Sequence, residues 1–174
     1  GGATGAALYV WHRILKNNLK NFKVPPSPYL GPSFNNSEIE QTLKNFKLNF
    51  TKINNISRKA AEIIAEGKIL GWFQGKMEFG ERALGARSII ADPRIKQMKN
   101  LINAAVKYRE SFRPFAPSII IDKAPEWFEI EKGVNVPYME QVYKVKKNKR
   151  SLVPSIVHND GTGRLQTVIK SLNP

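Results

Sequence analysis

The chain has 174 residues, 41% hydrophobic and 24% charged, with 28 Lys and Arg against 14 Asp and Glu, giving a formal charge of +14 and a pI near 10.1. That excludes a disordered tail, allows one compact domain or a domain with an appendage, and favours negatively charged partners: phosphorylated small molecules, nucleic acid or an anionic surface. With no cysteine there is no disulfide, thiolate nucleophile or Cys-based zinc site, which suits a cytoplasmic protein; no apolar run approaches the roughly 20 residues that cross a bilayer, and no signal-peptide pattern opens the chain.

The chain opens on Gly1-Gly2 rather than Met and stops at Asn173-Pro174, and it reads as an internal fragment. A first helix is expected from Ala3 to about Asn17, with Ala7, Val10, Ile14 and Leu15 on one side and Lys16 and Lys20 near its negative end. "VPPSPYLGP", Val24 to Pro32, holds four prolines and a glycine and reads as a connector. A short helix follows, with Ser37 and Glu40 in capping-box spacing and an apolar stripe of Ile39, Leu43 and Phe46. A domain boundary is placed near residue 50.

Beyond it the texture changes to alternating helix and strand. Ile56, Ala60, Ile63 and Ile64 give a helical face that stops at Gly67, and "KILGWFQ" (Lys68 to Gln74) reads as a buried strand. "GKMEFGERALGARS", Gly75 to Ser88, leaves that strand as a loop. Asp92 as N-cap and Pro93 at the first helical position open a helix running to about Tyr108. Pro114 and Pro117 turn the chain into a strand from Ser118 to Ile121, a Lys-rich segment follows the break at "EKGVNVPYM", and "VPSIVHNDGTGRLQTV" reads as strand, Asp160-Gly161 turn and strand.

Chemistry concentrates in three arginine-bearing segments. In the first, glycines allow close backbone approach to a phosphate while Lys76, Arg82 and Arg87 neutralise its charge, an expected anion cradle; Walker and dinucleotide spacings are both missing. The alternative is a glycine-rich turn with solvated cations. In the second, "YRESFRPFAPS", Arg109 and Arg113 sit four apart around Phe112 and Phe115 and suit a rigid guanidinium clamp, against an ordinary salt bridge with Glu110. In the third, "HNDGTGRLQ", the Thr162 hydroxyl and Arg164 could hold a phosphoryl or carbonyl oxygen, against a purely conformational turn. His12 and His158 form no metal motif, the run Lys144 to Arg150 reads as a solvated edge, and Trp11, Trp72 and Trp127 read as packing residues.

"GWFQGKMEFGERALGARSIIADPR", "KYRESFRPFAPS", "PYM" and "HNDGTGRLQTV", in that order, resemble the C-terminal domain of the O-carbamoyltransferases of the NodU and CmcH type. "GGATGAALYV" and "YLGPSF" look like the end of that family's actin-like N-terminal domain and its link. The resemblance implies an α/β fold, a YrdC-like twisted mixed sheet with helices, preceded by the C-terminal helix and linker of an actin-like domain. Residues 1–50 would belong to the latter and 51–174 to the carbamoyltransferase domain.

It also implies a two-step reaction. Carbamoyl phosphate and ATP form carbamoyladenylate, and an actin-like domain carrying a divalent metal passes the carbamoyl group to a hydroxyl of a sugar or other small-molecule acceptor. Lys76, Arg82 and Arg113 are then expected on the phosphates; Thr162 and Arg164 would orient the carbamoyl or α-phosphate group, with Arg87, Ser88 and Arg109 in support. No membrane partner is expected, and a basic nucleic-acid module or an inactive structural relic are the rival readings. Two positions depart from the family pattern: Glu81 stands where proline is usual and could pair with Arg82, and Ala86 stands where asparagine is frequent.

Overall fold

The computed structural model describes residues 2–18 and 27–172. Lys20 and Val24–Pro26 of the expected connector, and the terminal Asn173–Pro174, lie outside them. The elements are α1 (Gly2–Tyr9), extended by a widened helical turn (Val10–Ile14), then α2 (Asn36–Asn45), α3 (Ile56–Ala65), β1 (Leu70–Phe73) and β2 (Arg87–Ile90). There follow α4 (Met98–Ile102), with a second widened turn (Asn103–Lys107), β3 (Ser118–Ile120), α5 (Ala124–Trp127), β4 (Gln141–Lys144) and β5 (Thr162–Val168). The architecture is mixed α/β, as the helix and strand alternation implied.

α1 buries none of its residues, and Trp11, expected to pack, is 53% exposed. α2 carries a capping box, but two residues earlier than expected: Asn35 Oδ1 accepts from the Glu38 amide at 2.9 Å, and Glu38 Oε2 accepts from the Asn35 amide at 2.7 Å. Asn caps as well as Ser, and Asn35 holds the extended backbone of an N-cap. α3 begins at Asn55, whose side chain accepts from the Arg58 amide, and ends before Gly67 as expected.

The strands make two sheets. β1 and β2 pair antiparallel, with Leu70 opposite Ile90 and Phe73 opposite Arg87. In the other, β5 is central, parallel to β3 and antiparallel to β4. Two expectations change here. The end of the glycine-rich loop is itself a strand, because the β-branched pair Ile89-Ile90 finds β1 as a partner. The hairpin expected around Asp160-Gly161 is not formed: residues 154–156 make a tight helical turn, held where the Ser155 amide and hydroxyl both donate to the Pro93 carbonyl, and β4 pairs with β5 instead. Asp92 does not cap a helix either, since its carboxylate grips the Arg94 amide and guanidinium at 2.9 Å in a local turn.

Alternation along β5 gives it two faces with different work. Leu165, fully buried, joins Ala124, Phe128, Val145, Val153 and Ile156 in the core. Arg164 and Gln166 point the other way, toward the glycine-rich loop.

Candidate functional site

The loop from Gly75 to Ala86 is built around its own carboxylate. Glu78 is 4% exposed, and its Oε1 accepts from the amides of Leu84 (2.6 Å), Ala86 (2.7 Å) and Arg87 (3.1 Å). Its Oε2 accepts from Arg87 Nε at 2.9 Å, while Arg87 Nη2 reaches the Gly80 carbonyl at 2.7 Å. Gly75, Gly80 and Gly85 take φ of +57°, +97° and +111°, angles that fold the loop inward and that a side chain would resist. Burial pushes the Glu78 carboxyl up, but the Arg87 guanidinium and the amides outweigh it and hold it below its ordinary value. These backbone amides, read from sequence as a phosphate cradle, are therefore filled from within. Arg87 braces the loop, and the Gly85 amide donates to the Ser88 hydroxyl at 3.0 Å.

Two anchors fix the loop to the rest of the fold. Gln166, 1% exposed on β5, donates from Nε2 to the Leu84 carbonyl at 2.7 Å and accepts from the Ser118 hydroxyl at 2.8 Å. The Tyr29 hydroxyl donates to the same Leu84 carbonyl at 2.6 Å, and residues 28–32 of the expected connector exchange backbone hydrogen bonds with Met77 and Phe79.

So held, the loop turns Arg82 toward a cleft of about 520 Å³ that also receives Ser88, Lys107, Arg109, Met139 and Arg164. Arg109 is pre-aimed: Nε donates to Asn103 Oδ1 at 2.7 Å, and the guanidinium lies 4.6 Å over the Phe115 ring. Asn103 is 1% exposed and is fixed in turn by its bond to the Arg113 carbonyl at 3.1 Å. Arg164 is half-buried; burial, and then the charges of Arg82 and Arg109, disfavour its own charge and lower its pKa. Among the described residues, none of these three guanidinium groups has a carboxylate within ion-pair distance, Glu81 included. Met139 in the cleft, and Tyr108 where the widened turn ends just before Arg109, take left-handed φ of +56° and +47°, a backbone cost of roughly 1–2 kcal/mol each.

The other expected site residues lie elsewhere. Arg113 pairs with Glu110 at 2.9 Å, facing a neighbouring pocket with Tyr108 that shares only Arg109 with the cleft. Lys76 lines a hollow with Tyr29, Gln74 and Leu172. Thr162 donates to Asp160 Oδ1 at 2.7 Å and meets His158 Nδ1 at 3.0 Å. Glu78, Asn103, Lys107 and Gln166 escaped the sequence reading. The signals were one of two acids inside a basic glycine loop and an amide breaking the apolar rhythm of a strand, both visible only once burial is known. Among the described residues no three His, Asp or Glu side chains gather as metal ligands, and no helix is long and apolar enough to cross a membrane.

Comparison with known proteins addresses the same segments. The chain is 42% identical over its whole length to an uncharacterized protein of Synechocystis, covering 32% of that protein. It is 44% identical, again over its whole length, to nodulation protein NolO of Bradyrhizobium diazoefficiens, covering 32% of it, and 44% identical over 83% of its length to nodulation protein NolNO of Sinorhizobium fredii, covering 22%. The chain thus spans about a third or less of the relatives it matches. Residues 61–174, which include the loop, the cleft and β5, match the model described as "Carbamoyltransferase C-terminus", and the chain belongs to that family.

Proposed function

We propose that the guanidinium cleft is the place where carbamoyl phosphate and ATP combine to form carbamoyladenylate, within an O-carbamoyltransferase that passes the carbamoyl group to a hydroxyl of a small-molecule acceptor. The observation that carries the reading is the convergence of Arg82, Arg109 and Arg164, unpaired by carboxylate, on one cleft. Three guanidinium groups on one cleft, with Arg82 and Arg109 disfavouring the charge of Arg164, favour a ligand of multiple negative charge, and each charge-assisted hydrogen bond to it contributes on the order of 1.5–3 kcal/mol. Adenylyl transfer needs little else: the reacting groups must be held in line, and the charge that develops as pyrophosphate leaves must be neutralised.

In this reading Arg109 and Arg164 bind phosphate oxygens, Arg82 closes over them from the loop, and the Ser88 hydroxyl and Lys107 add donors at the edges. Arg87 acts indirectly, through Glu78, by setting the position of Arg82. Lys76, Arg113 and Thr162 are assigned no contact in this cleft. The divalent metal and the acceptor are assigned to the part of the protein outside these residues. Titration of the protein with ATP tests the site. Arg109→Ala and Arg164→Ala each weaken binding at least tenfold while Arg113→Ala and Lys76→Ala do not; equal losses in all four would return the charge to a diffuse surface effect. A basic nucleic-acid surface is separated by the same experiment, since it predicts binding to any duplex with a steep dependence on salt.

A further inference from the structure

We infer that an extended segment of the same polypeptide, from outside these 174 residues, inserts as a strand between β2 and β3 and joins the two sheets into one. Consecutive strand residues point to opposite faces, yet the guanidinium cleft and a second cavity of about 210 Å³ each touch both Ile89 and Ile90, together with Ala116 and Ser118. A cavity that touches both faces of a strand lies along its edge, so the two cavities are the two sides of one gap.

The backbone groups at that gap are identifiable. The Ala86 carbonyl accepts from the Gln74 amide across the β1–β2 ladder, so alternation turns the carbonyls and amides of Ser88 and Ile90 to β1 and those of Ile89 outward. The Pro117 carbonyl accepts from the Gln166 amide, so Ile119 faces β5 while Ser118 and Ile120 turn their amides and carbonyls outward. Among the described residues neither outward set has a ladder partner, and both line the same gap. At these outward positions "RSII" and "SII" carry no lysine, glutamate or proline, and Ile120 is 56% exposed.

The occupant follows from length and charge. The relatives matched along the whole chain are about three times as long, so most of such a polypeptide lies outside these residues. A second copy would bring another +14 formal charges against the Arg82, Arg109 and Arg164 side of the gap. The strand that fits carries apolar residues toward Met98, Ile102 and Ile156 and small or polar residues toward the guanidinium groups. It would floor the cleft, but the inference stands on the sheet edges and its test uses no nucleotide.

The test is amide hydrogen exchange on the full natural polypeptide. The amides of Ile89, Ser118 and Ile120 are expected to exchange at least 100-fold more slowly than those of the exposed turn at Lys132 and Gly133. Exchange as fast as in that turn overturns the inference. Protection that disappears on dilution assigns the edge to a second copy and overturns the proposed occupant. Ile120→Pro gives an independent check: its φ of −59° already suits proline and it deletes only an outward amide. It should speed exchange at Ile89 at least tenfold while leaving the β1-facing amide of Ile90 unchanged; no change at Ile89 would also overturn the insertion.

Discussion

Replacing Glu78 by alanine removes the acceptor of three backbone amides and one guanidinium at once. The side chain is fully buried, and its partner Arg87 is 30% exposed, so water reaches the guanidinium in part and the amides hardly at all. Breaking one side of a buried ion pair costs about 3–5 kcal/mol, because the partner's charge is left without compensation. Discounting for the partial exposure of Arg87, Glu78→Ala should destabilise the protein by about 3 kcal/mol, and Glu78→Gln, which keeps an acceptor for the amides but loses the charge, by about 1–2 kcal/mol. For a domain of this size about 3 kcal/mol lowers Tm by roughly 6–12 °C. Thermal and urea unfolding of the two variants beside the wild type measures both. Losses below about 0.5 kcal/mol in both would refute the account of the loop as a shell around its own carboxylate.

The same carboxylate has a signature in acid. Its folded pKa lies below the ordinary 4.5, so its contribution is complete above that value and is lost as pH falls through the folded value; Glu78→Gln should flatten this part of the stability profile. Burial lowers the pKa of His158 below its ordinary 6.5, so neutral His158 is favoured in the fold and stability should already begin to fall as pH drops below 6.5, a slope that His158→Asn removes. Gln166→Leu removes one of the two donors on the Leu84 carbonyl, leaving the Tyr29 hydroxyl, and takes the acceptor from the exposed Ser118 hydroxyl; it should cost about 1 kcal/mol in urea unfolding, with a parallel loss of nucleotide affinity because the loop carrying Arg82 keeps only one anchor. Gly161→Ala forces a side chain onto φ +81° and within 2.6 Å of the Arg150 guanidinium, displacing it from the Val145 carbonyl; a loss of about 1–3 kcal/mol is expected in the same assay.

The legible parts of this fold are those fixed by local physics. Helix α3, with its apolar face, was marked by Ile56, Ala60, Ile63 and Ile64, and β1 and β3 by short apolar runs between breakers. Partners were not legible: nothing local to Arg87–Ile90 says that β1 will pair with it, and nothing in "QVYK" says that β5 will prefer it to residues 154–156. The site divides the same way. Cation-rich segments were visible, and Arg82, Ser88, Arg109 and Arg164 do meet. Which cations stay available depends on where the acids fold: Glu110 reaches Arg113 by an i, i+3 contact, and Glu78 reaches Arg87 across a loop bent back at Gly80 and Gly85. The amides of that loop were assigned to an outside anion because a carboxylate beside them in sequence gives no sign of turning inward.

The central claim is tested most directly by incubating the full natural polypeptide with labelled ATP and carbamoyl phosphate, without acceptor, and measuring carbamoyladenylate and pyrophosphate. The account predicts adenylate that depends on carbamoyl phosphate, falls by two or more orders of magnitude in Arg82→Ala and Arg164→Ala, equivalent to about 2.7 kcal/mol or more of transition-state stabilisation, and survives in Arg113→Ala. Adenylate formed equally well by the Arg164→Ala protein, or none from folded wild type, would contradict it.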